Sequence, residues 1–241
     1  MRPVQRDLLT ALAGQVLLLA GLTSTAGLGT SGWAVGLTLA IVGDLVLATT
    51  FARIGRTALT PADRVTLTRA SLVCGVGALV AQGAPPVTLL VTLAAVALVL
   101  DAVDGRVARA TGTTSRLGAR FDMEVDAVLI LLLSVYVAGS VGLWVLAAGV
   151  ARYALWLAAR LLPWLRRESP PRFWGKVVAA LQGVVLVAAA ADVLPRPLTV
   201  LLLVAALVLL AESFGRQVLW LWRRREPKPV RAAPAPQRVA A

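Results

Sequence analysis

Residues 101–126 read DAVDGRVARATGTTSRLGARFDMEVD and hold four aspartates and four arginines between two long apolar segments. Asp101 and Asp104 are three positions apart at the end of the first segment, while Asp122 and Asp126 are four apart at the start of the next. Both spacings place each pair on one face of a helix. Two helices packed antiparallel would therefore bring all four carboxylates together at the same membrane depth.

Carboxylates that converge in this way repel one another unless cations lie between them. Because carboxylates are the only ligand type, the stretch predicts a site for a hard cation such as Mg²⁺ or Mn²⁺. Small residues allow a ligand to approach the backbone, and guanidinium groups bind phosphate. Both kinds of residue occur between the two aspartate pairs. The small residues are Gly105, Ala108, Gly112 and Gly118, and the arginines are Arg106, Arg109, Arg116 and Arg120.

The spacing of eight positions in this stretch resembles the signature of the CDP-alcohol phosphatidyltransferase family. In chain order these positions are Asp101, Asp104, Gly105, Ala108, Arg109, Gly118, Asp122 and Asp126. Charged residues that merely end two membrane helices would not reproduce eight fixed positions, so the pattern is specific. The resemblance implies a six-helix membrane core that transfers a phosphatidyl group from CDP-diacylglycerol to an alcohol acceptor and releases CMP.

The resemblance also implies a role for each residue of the signature. The metal ligands would be Asp101, Asp104, Asp122 and Asp126. The cytidine diphosphate part would be bound by Gly105, Ala108, Arg109 and Gly118, together with Thr66. Thr66 and Arg69 resemble the Thr-x-x-Arg end of a pattern that precedes the first core helix in this family. Asp126 would accept the proton of the attacking hydroxyl, since a carboxylate within reach is a plausible base.

The composition of the whole chain indicates a membrane protein. Of its 241 residues 59% are hydrophobic, far more than in an ordinary soluble domain. The net charge of +12 comes from arginines and lysines in short loops, which favours an anionic membrane surface and anionic substrates over nucleic acid. The chain has no histidine and one cysteine, Cys74, so imidazole chemistry and an intrachain disulfide are both excluded.

The apolar segments predict an all-α polytopic membrane protein with eight helices. Residues 1–56 would form an N-terminal transmembrane hairpin, whose first helix is retained rather than removed as a signal peptide. Residues 57–224 would form the six-helix catalytic domain, and residues 225–241 a disordered cytoplasmic tail. Residues 60–69 predict a short helix in the membrane interface that continues into the first core helix.

The distribution of basic residues predicts the orientation of the protein. Lysines and arginines lie near the termini and in the loops at 53–69, 106–120 and 166–176, whereas the opposite loops carry only Arg196. The positive-inside rule then places both termini and the aspartates on the cytoplasmic side of the cell membrane. At that depth the site can accept both a water-soluble nucleotide and a lipid tail.

Three basic residues outside the signature bear on the identity of the acceptor. Arg152 and Arg160 lie eight positions apart on the fourth core helix, and Lys176 begins the fifth. Their surroundings resemble, with substitutions, patterns of phosphatidylglycerophosphate synthases and cardiolipin synthases, which implies glycerol 3-phosphate or phosphatidylglycerol as acceptor. Inositol phosphate or another polar alcohol is the alternative. A structural role is equally open, in which Arg152 neutralises a carboxylate while Arg160 and Lys176 reach the interface.

Two other classes of function stay open. A membrane cation transporter would also place carboxylates within the membrane, but with interrupted or repeated spans, and the chain shows no repeat of the four aspartates. A non-catalytic scaffold would not need small residues at fixed offsets from the acids.

Homodimerisation is implied only by the resemblance. Two charged groups are expected to have structural partners: Asp44 in the second helix, and Glu212 with Arg216 in the last.

Overall fold

The computed structural model describes residues 3–56, 58–110, 112, 115–166 and 173–224, apart from the side chains of residues 3, 104, 108, 109, 116 and 173. Within these ranges the chain forms eight α-helices and no β-strand. The helices are α1 (Pro3–Ala26), α2 (Thr30–Arg53), α3 (Pro61–Ala81), α4 (Val87–Ala110), α5 (Arg116–Val141), α6 (Leu146–Leu161), α7 (Phe173–Ala190) and α8 (Arg196–Arg223). The predicted disordered tail, residues 225–241, lies outside the described residues.

Seven of the eight described helices are long and apolar enough to cross a membrane. This confirms the prediction of an all-α polytopic membrane protein. The remaining helix, α7, has 18 residues. At 1.5 Å per residue its length is about 27 Å, slightly less than the hydrocarbon thickness of about 30 Å. That α7 forms an eighth membrane span therefore stays a prediction.

Helix α3 lies at the centre of the bundle. It packs against α1, α2, α4 and α5, and it has the largest buried share of the seven membrane-length helices. A capping box begins it: the Asp63 N–H donates to Thr60 Oγ1 at 3.1 Å, and the Thr60 N–H donates to Asp63 Oδ2 at 2.9 Å. The helix then runs without a break from Pro61 to Ala81. The segment predicted to lie in the interface therefore forms the first turns of a core helix.

Two turns meet at the end of the bundle opposite the aspartates. The Gly29 N–H donates to Gln82 Oε1 at 2.8 Å, and Gln82 Nε2 donates to the Gly27 carbonyl at 2.9 Å. The α1–α2 turn therefore lies beside the turn between α3 and α4. This agrees with the sequence-based placement of both loops on one side of the membrane.

The ion pair predicted in the last helix is confirmed. Glu212 and Arg216 pair within α8, one helical turn apart. Glu212 Oε2 also accepts a hydrogen bond of 3.0 Å from Trp174 Nε1 at the start of α7. The pair therefore also connects α7 to α8.

Asp44 of α2 has a different environment from the predicted one. Among the described residues it has no ion-pair partner, and it instead borders a cavity of about 30 Å³ that Ser71 and Cys74 also line. Such a volume holds one or two water molecules, which can solvate a carboxyl group. Cys74 itself is a free, buried cysteine.

Candidate active site

The adjoining ends of α4 and α5 bring three of the four predicted ligands together. One carboxylate oxygen from each of Asp101, Asp122 and Asp126 lies within 4.8 Å of the other two. Their side chains are 36%, 31% and 30% exposed, so the cluster is open on one side. This geometry agrees with the convergence that the two spacings predict. The side chain of Asp104 lies outside the described part of the chain.

A buried arginine from α3 lies against this carboxylate cluster. Arg69 is 1% exposed. Its Nη1 donates to Asp101 Oδ1 at 2.6 Å, and its Nη2 lies 2.5 Å from Asp122 Oδ1 and 3.1 Å from Asp126 Oδ1. Nη2 also donates to the main-chain carbonyl of Asp122 at 3.1 Å. One guanidinium thus joins α3, α4 and α5 through charge-assisted hydrogen bonds.

Arg69 is not among the site residues that the sequence predicts. The Thr-x-x-Arg pattern singles it out, and an arginine well inside a membrane helix needs an anionic partner. Its partners, however, lie 32, 53 and 57 positions away in the chain. No local spacing reveals contacts over such a distance, so only the packing of the three helices identifies them.

A second contact between α3 and α5 explains the second glycine of the signature, Gly118. A Cβ atom on Gly118 would lie 2.9 Å from Asp63 Oδ1 and 3.1 Å from Ser115 Oγ. Asp63 is buried, caps α3 and accepts a hydrogen bond from Arg56 Nη2 at 3.2 Å. Ser115 caps α5 by accepting from the Gly118 N–H at 2.9 Å. Gly118 therefore lets the amino-terminal ends of two helices approach closely, just before each contributes its charged groups to the site.

The other predicted nucleotide-binding residues differ in what surrounds them. The Thr66 side chain is buried, and its hydroxyl donates to the Ala62 carbonyl of the same helix at 3.1 Å. Gly105 is half-buried on α4, one residue beyond Asp104. The side chains of Ala108 and Arg109 lie outside the described residues. The contacts of Thr66 and Gly118 thus favour roles in helix packing.

The three predicted acceptor-binding residues do not share one environment. Arg152 Nη2 lies 2.5 Å from Oε1 of Glu124 on α5. Glu124 is two residues from both Asp122 and Asp126, which turns its side chain about 200° around the helix from theirs. Arg152 therefore contacts a face of α5 that differs from the face carrying Asp122 and Asp126. Glu124 is a partner that the sequence patterns did not single out.

Arg160 and Lys176 are both exposed, at the end of α6 and the start of α7. The guanidinium carbon of Arg160 lies 4.4 Å from the centre of the Trp156 ring, one helical turn earlier. Because α5 and α6 are consecutive and packed together, the end of α6 returns to the level at which α5 begins. Arg160 is therefore at the same end of the bundle as the carboxylate cluster. Lys176 is at this end as well, because α7 begins beside the carboxy-terminal half of α8.

Fold and site together define a polytopic membrane protein with a carboxylate cluster suited to a divalent cation at one end of its helix bundle. The model of the CDP-alcohol phosphatidyltransferase family matches residues 59–219, which is about two-thirds of the chain. The chain belongs to the CDP-alcohol phosphatidyltransferase family. Searches of curated proteins and of solved structures gave no significant match.

Membership in this family establishes the class of reaction. The protein is an enzyme of phospholipid synthesis that transfers a phosphatidyl group from a CDP-alcohol. The family generally uses divalent metals, which agrees with the cluster formed by Asp101, Asp122 and Asp126. An enzyme is therefore favoured over the transporter and scaffold alternatives. The family match begins at residue 59, so α1 and α2 precede it.

Proposed function

We propose that this enzyme transfers the phosphatidyl group of CDP-diacylglycerol to the hydroxyl of glycerol 3-phosphate or phosphatidylglycerol and releases CMP. The observation that carries the proposal is the convergence of Asp101, Asp122 and Asp126 at one end of a membrane-embedded bundle. A substrate with two acyl chains and a charged diphosphate needs its charge neutralised at the membrane surface. A cation-binding carboxylate cluster at the end of membrane helices supplies that environment.

The residues of the cluster fit a hard divalent cation. The three described carboxylates carry −3 and Arg69 carries +1, so the sum is −2. Asp104 would make the sum −3, and one or two divalent cations would offset this charge. Asp104 is the proposed fourth ligand. Carboxylate oxygens are ligands that Mg²⁺ and Mn²⁺ prefer. When bound, the ion would polarise the diphosphate and stabilise CMP as a leaving group.

Asp126 is the proposed general base. The acceptor hydroxyl attacks the phosphorus that carries the diacylglycerol, and the bond from that phosphorus to the CMP oxygen breaks. The hydroxyl proton passes to the Asp126 carboxylate. Arg69 Nη2, 3.1 Å from Asp126 Oδ1, orients this carboxylate. Gly105, Ala108 and Arg109 are proposed to bind the cytidine diphosphate part.

Arg160 and Lys176 are the proposed contacts of the anionic acceptor. Both are exposed cations at the same end of the bundle as the carboxylate cluster, so a phosphate on the acceptor can reach them. Arg152 is left out of this set because Glu124 holds its guanidinium on another face of α5. Inositol phosphate or another polar alcohol is the alternative acceptor.

We propose a cell-membrane location, with the carboxylate cluster and both termini facing the cytoplasm, and a homodimeric assembly. In this arrangement the hairpin of residues 1–56 precedes a catalytic domain of residues 57–224.

Cysteine labelling tests the orientation, after the native cysteine is removed by Cys74→Ala. A cysteine replacing Ala110 should react only from the cytoplasmic side, and cysteines replacing Gly29 or Gly139 only from the outside. Reaction of Ala110→Cys and Gly139→Cys from the same side would contradict this arrangement.

The proposed reaction is tested with the full-length protein in lipid nanodiscs. CDP-diacylglycerol is supplied with Mn²⁺ or Mg²⁺, and CMP release is measured with glycerol 3-phosphate, phosphatidylglycerol, inositol phosphate, inositol and serine in turn. We expect metal-dependent CMP release that is fastest with one of the first two acceptors. Fastest release with free inositol or serine would refute the acceptor assignment. Full activity in the presence of a chelator would refute the role of the metal.

A further inference from the structure

We infer that Arg69 is a built-in cation of the active site, a positioning residue that keeps the three carboxylates converged when no metal is bound. Its guanidinium contacts Asp101, Asp122 and Asp126 at 2.5 to 3.1 Å. These aspartates come from two helices, and Arg69 comes from a third. The cluster therefore has an internal partner that fixes its geometry before any substrate or metal arrives.

The exposures of the four side chains indicate where this cation lies relative to a bound metal. Arg69 is 1% exposed, whereas the three carboxylates are 30% to 36% exposed. The guanidinium therefore covers the buried side of the cluster, and the carboxylates remain accessible from the opposite side. A metal ion and a diphosphate can approach from that open side without displacing Arg69.

The shape of the guanidinium explains why an arginine suits this position. Nη1 contacts Asp101 of α4, while Nη2 contacts Asp122 and Asp126 of α5. A lysine has one nitrogen and cannot reach both groups of partners with the same geometry. Lysine would thus keep the positive charge but lose part of the bridge between α4 and α5.

The same helix provides a matched control. Arg64 lies five residues before Arg69 on α3, and its Nη2 pairs with Asp7 Oδ2 at 3.2 Å. The Arg64 side chain is 60% exposed. Both arginines thus carry one charge and have a carboxylate partner on another helix, but only Arg69 is buried and contacts several carboxylates.

The first experiment measures thermal unfolding of the purified full-length protein in a chelator, for the parent, Arg69→Met, Asp101→Asn and the double variant. Because breaking a buried pair leaves uncompensated charge, we expect Arg69→Met to lower Tm by about 5 to 10 °C. In the Asp101→Asn background one repelling carboxylate is gone, so the same change should cost no more than about half as much. Arg64→Met should shift Tm by less than about 2 °C.

Equal costs of Arg69→Met in the two backgrounds would overturn the inference, because a packing role alone predicts additivity. An unchanged Tm in Arg69→Met would overturn it as well. If Arg69→Met does not yield folded protein, Arg69→Lys enters the same cycle. The lysine variant keeps the positive charge, so its loss of Tm relative to the parent should be measurable and should couple to Asp101→Asn, and additivity there would equally refute the inference.

A second arm adds Mn²⁺ and rests on the proposed metal-dependent function. Mn²⁺ supplies the cation that Arg69→Met lacks, so it should raise the Tm of this variant by more than it raises the Tm of the parent. Equal shifts would contradict the idea that Arg69 and the metal share the task of neutralising the cluster. If Mn²⁺ shifts neither protein, the proposed metal site is wrong, whereas the coupling between Arg69 and Asp101 in the chelator is unaffected.

Discussion

Two groups of arginine–carboxylate contacts in this enzyme differ in burial. Around α3, one guanidinium that is 1% exposed contacts three carboxylates from two other helices. Around α6 and α8, Arg152 pairs with Glu124, and Arg216 with Glu212. There the arginine side chains are 36% and 68% exposed.

The comparison shows that the residue types of an ion pair do not determine its importance. An exposed pair contributes about 0 to 1 kcal/mol, because solvent screens the charges and the long side chains lose conformational freedom. Breaking a buried pair costs about 3 to 5 kcal/mol, because the remaining charge is uncompensated. We therefore assign the site to the buried group and a structural role to the exposed ones.

The sharpest test of this assignment replaces carboxylates on the two faces of α5. Asp122→Asn removes a proposed metal ligand without a change in volume and should lower the rate of CMP release by about a thousandfold or more. Glu124→Gln, two residues away on the other face, should retain the rate within about threefold, since exposed pairs contribute little. Both rates are measured with saturating CDP-diacylglycerol and Mn²⁺. Equal losses in the two variants would remove the distinction between the faces.

A smaller effect is expected where α3 and α5 approach each other. In Gly118→Ala the new methyl group would lie 2.9 Å from Asp63 Oδ1, so a buried capping carboxylate must shift. We expect a loss of stability of about 1 to 3 kcal/mol, and lower activity because α5 carries two site carboxylates. Gly139→Ala is the matched control on the same helix, since among the described residues no atom beyond the neighbouring turns of its own helix lies within 4 Å of its added Cβ. Thermal unfolding and CMP release of the two variants give the comparison, and a stable, fully active Gly118→Ala would show that the close approach is unimportant.

The exposed cations Arg160 and Lys176 should affect only the binding of the acceptor. Losing one charge-assisted contact in Lys176→Ala or Arg160→Ala should raise the KM for an anionic acceptor about tenfold, with little change in the KM for CDP-diacylglycerol. Arg196→Ala, at the opposite end of the bundle, should change neither constant. If the KM for every anionic acceptor stays at the parent value in both variants, these residues reach the interface and do not bind the acceptor.

The smallest effect is expected for the exposed pair in α8. Arg216→Met should change the free energy of unfolding by less than about 1 kcal/mol, because the Arg216 side chain is 68% exposed. Chemical denaturation in mixed micelles measures this change. A loss as large as that of Arg69→Met would contradict the burial argument from which the comparison began.

The sequence alone predicts the helical membrane fold and the position of the carboxylate cluster. Both rest on local periodicity: long apolar segments give the helices, and spacings of three and four place Asp101, Asp122 and Asp126 on inward faces. The convergence of these three residues also depends on tertiary packing, because α4 and α5 both pack against α3 and α7 and much less against each other. Local rules also suffice for the ion pair of Glu212 with Arg216.

The contacts that the sequence does not predict are those between residues distant in the chain. Arg69 meets its carboxylates only because α3 packs against both α4 and α5. The closeness of Gly118 to Asp63 likewise depends on how two helix ends approach. The pairing of Arg152 with Glu124 follows from the rotation of α6 relative to α5. In each case the sequence allows several contacts, and tertiary packing determines which of them the residue makes.

The position of Arg69 in the chain also has a consequence for biosynthesis. Helix α3 leaves the ribosome before α4 and α5, so this arginine enters the membrane ahead of every carboxylate that it contacts. A lone guanidinium within a bilayer is costly unless its long side chain extends to the headgroups. Before α4 and α5 are made, the Arg69 guanidinium would therefore lie at the membrane surface. The complete carboxylate cluster can then form only after α5 of the nascent chain has entered the membrane.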